Sequence, residues 1–193
     1  ASEPALRVPV AAREAPAPKL PPVTPLHAGF SLRALASPNL LPSPTAGGAV
    51  AETIRVGRLV GASMGALFFP ESRLSAPQAD LGFGVTAAFL SGCLWAKVTD
   101  PQLFSCIGSR VGALHTVVYR PEPQKPGDRW WWAMSSELLL RQRLLGSVFV
   151  EAGVAAVFPL VRYRFQTGPE RAVVYQQGPA LAEGFVGLGL RLD

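Results

Sequence analysis

From residue 26 onward the chain alternates. In "LHAGFSLRALAS", Ala28, Phe30, Leu32 and Ala34 fall on one face of an extended strand, and Gly29, Ser31 and Arg33 fall on the other. Successive side chains of a strand point to opposite sides, so a period of two predicts sheet with one apolar and one small or polar face. The rhythm returns in "RLVGASMGALFF", where Val60, Ala62, Met64, Ala66 and Phe68 oppose Gly61, Ser63 and Gly65. In "DLGFGVTAAFLSGCLWA", Leu81, Phe83, Val85, Ala87 and Phe89 stand against Gly82, Gly84, Thr86 and Ala88. "RWWWAMSSELLL" sets Trp130, Trp132, Met134 and Leu138 outward and Ser135 and Glu137 inward. "LGSVFVEAGVAAVFPLVRYRF" sets Val148, Val150, Ala152, Val154 and Ala156 against Glu151 and Gly153. The terminal "GFVGLGLRLD" sets Val186, Leu188, Leu190 and Leu192 against Gly187, Gly189 and Arg191. With "AVAETIRVG" and "LFSCIGSRVGALHTVVYR", eight strands are predicted. Each is long enough for the roughly 9–11 residues that a tilted strand needs to cross a bilayer.

The connections alternate too. "PNLLPSPTAGG", "PESRLSAPQA", "PEPQKPGD" and "QTGPERAVVYQQGPALA" read as long loops, rich in Pro and Gly. The turns around Val56-Gly57, around Thr99-Asp100-Pro101 and in "RQRL" are short. In an up-and-down barrel the two sets emerge at opposite ends. A last strand as regular as residues 184–193 needs a neighbour on each side, which a closed ring supplies. The expectation is an all-β fold: a closed eight-stranded antiparallel transmembrane barrel over residues 26–193. Residues 1–25, "ASEPALRVPVAAREAPAPKLPPVTP", carry no apolar periodicity and are expected to form a Pro/Ala-rich flexible tail.

Composition sharpens the picture. Hydrophobic residues make up 49% and charged residues 16%, yet no run approaches the roughly 18 apolar residues of a membrane helix. Apolar but dispersed is what a lipid-embedded barrel requires. Phe68, Phe69, Tyr119, Trp130, Trp132 and Tyr163 lie at the predicted long-loop ends, and Trp95 and Phe104 beside a short turn. These eight are expected to form two aromatic girdles at the membrane interfaces. Reflecting the chain about Thr99-Asp100-Pro101 brings Cys93 opposite Cys106, which predicts a cross-strand disulfide and an oxidising compartment. The net charge is +5, but its arginines are scattered singly, which excludes a basic nucleic-acid-binding surface. The start of the chain shows no charged-then-apolar leader, so an exported chain is expected to have lost its signal already.

At this point the chain resembles the small eight-stranded outer-membrane β-barrel proteins of Gram-negative bacteria. The resemblance covers residues 26–193. It rests on the strand rhythm, the "GCLWA…LFSC" hairpin, "EAGVAAVFPLVRYRF" and the closing "FVGLGLRLD". It implies an outer-membrane location among lipids, with termini in the periplasm and long loops outside. It also implies a terminal strand read by the barrel-assembly machinery, usually through a final aromatic; here the last residues are Leu192 and Asp193, and Phe185 is the aromatic of the strand.

The inward faces suggest what fills the barrel. Gly29, Ser31, Arg33, Gly61, Ser63, Gly82, Gly84, Thr86, Glu137, Glu151, Gly153, Gly187, Gly189 and Arg191 are expected there. Buried charges must pair, so Arg33, Arg110, Glu137, Glu151 and Arg191 are expected to form an ion-paired plug. Two tensions remain in the pattern. An unbroken register from the cysteines would pair Phe89 with Arg110, which calls for a bulge in strand five or a shifted register, and Pro159 would sit inside a strand, which calls for a bulge. No enzyme chemistry is expected: His27 and His115 stand alone, and the spacing gives no Ser–His–acid set, metal cluster, phosphate loop or cofactor site. The function expected is a structural or adhesive barrel that presents its loops or tail to a periplasmic or external protein partner. The alternatives are a narrow pore, a lipid-modifying enzyme using His115 near Thr116, and a soluble lipocalin-like ligand binder with a polar outer face.

Overall fold

A computed structural model describes residues 26–76, 79–120, 127–167 and 172–192. The strands are β1 (Leu26–Ser37), β2 (Thr45–Val56), β3 (Val60–Ala76), β4 (Ala79–Lys97), β5 (Gln102–Arg120), β6 (Arg129–Leu145), β7 (Val148–Pro159), β8 (Arg164–Thr167), β9 (Ala172–Gln176) and β10 (Leu181–Leu192). Eight of them close an antiparallel barrel in the order β1-β10-β7-β6-β5-β4-β3-β2, while β8 and β9 form a separate hairpin in the β7–β10 connection. The last strand meets its partner in β1, from Ala28 opposite Leu192 to Ala36 opposite Gly184. Residues 1–25, expected as a tail, lie outside the described residues.

The outer wall is apolar. Val186, Leu188 and Leu190 are 60%, 58% and 51% exposed, and Leu32, Leu90, Ile107, Leu138 and Val154 face the same way. A lipocalin-like reading needs a polar outer face and is thereby removed. One charge interrupts this wall. Glu52 projects outward from β2 between Phe30 and Met64, four residues from the end of the strand. A carboxylate near the edge of the apolar band costs less than a cation at its middle.

Strand β4 faces opposite to expectation. Phe83, Val85, Ala87 and Phe89 are buried inside the barrel, and Thr86, Ala88 and Leu90 face out. Thr86 is therefore not a lumen residue, and by the same alternation Gly82 and Gly84 lie on the outer side. No bulge intervenes between the cysteines and Phe89, which pairs directly with Arg110. Both fit inside because the ring lies over glycine: a Cβ on Gly65, opposite Phe89, would come within 2.7 Å of its Cζ. The same device holds Phe149 over Gly189 and Phe185 over Gly153, at 2.3 Å and 2.4 Å from a would-be Cβ. Glycine in the lumen is the space that an aromatic on the next strand fills.

Three further boundaries differ. Most of "PESRLSAPQA" is strand and not loop; β3 and β4 continue pairing out to Ala76 opposite Ala79 as an extended arm, with an irregularity between Phe69 and Ser72. The "RQRL" stretch belongs to β6, and the turn falls at Gly146, whose φ of 54° suits glycine. Pro159 ends β7 instead of sitting within it; beyond it the Leu160 and Val161 N–H groups both donate to the Trp132 carbonyl.

Candidate functional site: the lumen and its two mouths

Alternation alone brings six charged side chains from five strands into the barrel. Arg141 of β6 is the direct cross-strand partner of Glu151 on β7. Its Nη2 donates to Glu151 Oε2 at 2.8 Å and to Thr53 Oγ1 at 3.2 Å. Glu151 Oε1 accepts from Arg33 Nε at 2.7 Å and from Ser31 Oγ at 2.7 Å. Arg33 and Glu151 flank Gly187, where a Cβ would fall 3.1 Å and 3.2 Å from their side chains. Arg33 Nη1 lies 3.8 Å from Glu137 Oε2, and Glu137 Oε1 accepts from Arg110 Nη2 at 3.1 Å. Arg110 Nη1 reaches both oxygens of Glu183, at 2.8 Å and 2.7 Å. The result is one string, Arg141–Glu151–Arg33–Glu137–Arg110–Glu183, with as many carboxylates as guanidiniums. Neutrality as a set is what makes such burial tolerable.

Four of the five expected plug residues meet in this string. Arg191 does not; it lies at the short-turn mouth, its Nη2 3.1 Å from His27 Nδ1. Two members escape the sequence reading. Arg141 shares the inward parity of Glu137, and Glu183 that of Gly187, but Arg141 falls in a stretch that reads as a connection and Glu183 lies between the last loop and the terminal strand.

Above the string, toward the long loops, the lumen turns apolar. Leu35, Leu67, Phe69, Phe83, Val85, Leu114, Trp131 and Val157 are buried there. The β8–β9 hairpin closes it: Phe83 meets Phe165 at 4.8 Å and Tyr175 at 5.1 Å between ring centroids. The Tyr175 hydroxyl donates to the Leu40 carbonyl at 2.9 Å, and burial pushes its pKa up to about 12.

The expected girdles are corrected in part. Phe68, Trp130 and Trp132 are exposed on the outer wall, joined by Phe158, and Tyr119 lies on the same side. Phe69 follows Phe68 directly and so points inward, fully buried. Trp95 and Phe104 share the face of the cysteines two residues away. They are buried in the short-turn mouth, stacked 4.7 Å apart, and are not lipid anchors. Tyr163 is half-buried against the core and donates to the Trp130 carbonyl at 2.6 Å. Cys93 and Cys106 are directly opposed, with Cα atoms 4.1 Å apart, and form a disulfide inside the barrel.

Outside, at the long-loop end, the partner of His115 is not Thr116, which is buried in the lumen. His115 Nδ1 lies 2.7 Å from Asp128 Oδ1, and its Nε2 lies 3.0 Å from Thr86 Oγ1. Thr86 sits in a cross-strand row with Phe68, Ala113 and Trp130. Farther out, the hydrogen bond from Arg120 holds the Asp80 carboxyl below its usual range.

No family model and no curated protein matches the chain. Solved structures do. A major outer membrane protein from Thermus thermophilus aligns with a TM-score of 0.61 at 13% identity, over 86% of this chain and 99% of that one. The outer membrane protein OprG from Pseudomonas aeruginosa aligns with a TM-score of 0.50 at 11% identity, over 87% and 95%. This is the fold of the small eight-stranded outer-membrane β-barrels. A third chain, Neisserial surface protein A, aligns at 0.49 with 12% identity over 86% and 96%. What such a barrel leaves to each sequence is the content of its lumen and the chemistry of its two ends.

Proposed function

We propose that this chain is a non-enzymatic outer-membrane barrel with a plugged lumen, serving as a structural or adhesive element. Its short turns, the start of β1 and the end of β10 face the periplasm. Its long connections face outward, where they present a surface to a partner protein. Residues 1–25 would then form a periplasmic tail, and the terminal strand would be handled by the barrel-assembly machinery. One observation carries the reading: the polar half of the lumen is filled by a self-neutralising string of charges and the other half by an aromatic cap. Both support a plugged lumen, since side chains fill the interior of a barrel of about eight strands. The test is twofold. Unheated and heated samples should migrate differently on a detergent gel, and the purified barrel should be electrically silent in planar bilayers. Sustained single-channel conductance would overturn the plugged reading in favour of a pore.

A second reading, ester chemistry on lipid, is favoured by the hydroxyl–imidazole–carboxylate sequence Thr86–His115–Asp128 on the outer wall. Fatty-acid release from phospholipid by the purified barrel, abolished in a His115→Ala variant, would support it. Absence of release removes it.

A further inference from the structure

We propose that the long-loop rim beside β6 and β7 holds the phosphate of a membrane-lipid headgroup, with Arg162 and Arg164 as its cationic side. The inference rests on the outer wall meeting lipid, as proposed above. Beyond the end of β7 the chain goes on alternating. Phe158, Leu160, Arg162 and Arg164 are exposed, and the residues between them are buried or half-buried. One outward face therefore passes from two apolar side chains to two guanidiniums. Residues two apart in an extended chain stand about 6–7 Å from each other, so both arginines can reach one headgroup.

This face is held in place and continues the apolar wall. The Leu160 and Val161 N–H groups donate to the Trp132 carbonyl at 2.9 Å and 3.3 Å, and the Tyr163 hydroxyl donates to the Trp130 carbonyl at 2.6 Å. Trp130 and Trp132, 61% and 42% exposed, thus stand beside Phe158 and Leu160. Indole rings favour the headgroup level of a bilayer, which puts the next outward residues, Arg162 and Arg164, at the depth of lipid phosphates. Arg129 adds a third guanidinium, 5.6 Å from the Tyr163 ring centroid.

The surplus of positive charge is local. Among the described residues, the carboxylates at this end are Glu71, Asp80 and Asp128, which lie against Arg73, Arg120 and His115. None of the three is within ion-pair distance of Arg129, Arg162 or Arg164. The described rim is thus paired over β3, β4 and β5 and cationic beside β6 and β7. Guanidinium groups grip phosphate oxygens through a rigid fork of donors, and a lipid headgroup is the phosphate that a bilayer brings to this depth.

Trp130 and Trp132 report on the site, because Trp95 and Trp131 are buried inside the barrel. The full chain is folded into phosphatidylcholine vesicles carrying either brominated phosphatidic acid or brominated phosphatidylcholine, and tryptophan quenching is compared. Phosphatidic acid should be preferred about tenfold, falling to about twofold in the double variant Arg162→Gln, Arg164→Gln, as two arginines near a membrane surface would give. Both side chains are exposed, so that variant should keep its heat-dependent gel migration. Arg58→Gln, exposed on the β2–β3 turn at the other end, should keep the preference. Quenching by phosphatidylcholine without any preference for phosphatidic acid overturns the site and leaves the lipid-facing wall standing. Quenching by neither lipid overturns both. Equal loss in Arg58→Gln would mean diffuse charge and no site.

Discussion

At the scale of single residues, the lumen is governed by pairing. Glu183 is the only carboxylate held by both oxygens against Arg110 within the string. Truncating it leaves a buried guanidinium with Glu137 alone. Removing one partner of a buried pair costs about 3–5 kcal/mol, whereas replacing both by apolar groups is often neutral. Glu183→Ala should therefore lower the urea midpoint of the refolded barrel sharply, and the double variant Arg110→Met, Glu183→Leu should recover most of the loss. If the double variant is as unstable as the single, charge pairing is not what holds this level of the barrel. Much of the string is readable from parity: Arg33, Glu137 and Glu151 each sit among outward apolar neighbours. Arg141 and Glu183 obey the same parity, but a charge beside a turn looks like loop chemistry until the strand is known to run on. Arg191 has the right face and the wrong depth. Alternation fixes which side a residue takes, not how far along the barrel axis its side chain finds partners.

At the scale of the strand, glycine and aromatic positions form one pattern. Gly61, Gly65, Gly153 and Gly189 mark the lumen face in β3, β7 and β10, and each supplies the floor on which a neighbouring ring rests. Strand β4 misleads because its inward face is the apolar one. In most strands here the greasy side meets lipid, whereas Phe83, Val85 and Phe89 build the apolar half of the lumen. No count of hydrophobicity within β4 separates the two cases. The cysteines could have done so, since Cys93 and Phe89 share a face and the disulfide partner Cys106 shares one with Arg110. The pairing makes a prediction. Gly65→Val should drive a side chain into the Phe89 ring and reduce the heat-modifiable, folded fraction markedly. Adding Phe89→Ala should restore folding in part, because it clears the ring while a Cβ on Gly65 would still fall 2.0 Å from the Val50 carbonyl oxygen. Failure of the second substitution to rescue the first would mean that Gly65 is needed for its backbone and not for the room it leaves.

At the scale of the whole molecule, the barrel is polarised along its axis. An arginine-lined mouth lies at the short-turn end, a neutral ionic layer lies above it, and an aromatic cap lies under the β8–β9 hairpin. The order was partly legible in the sequence: the long and short connections foretold two different ends. The hairpin in "QTGPERAVVYQQGPALA" was not, since its aromatics are spaced like loop residues and gain meaning only against Phe83. The ionic layer also has a bearing on how the ring comes together. Arg33 stands on the first strand and Glu151 on the seventh, and they meet only across the final strand, over Gly187. Until that strand zips up its seam, a guanidinium would stay stranded on a half-built sheet. Insertion of an incomplete cylinder is thereby penalised, and completing the circle becomes an all-or-nothing act.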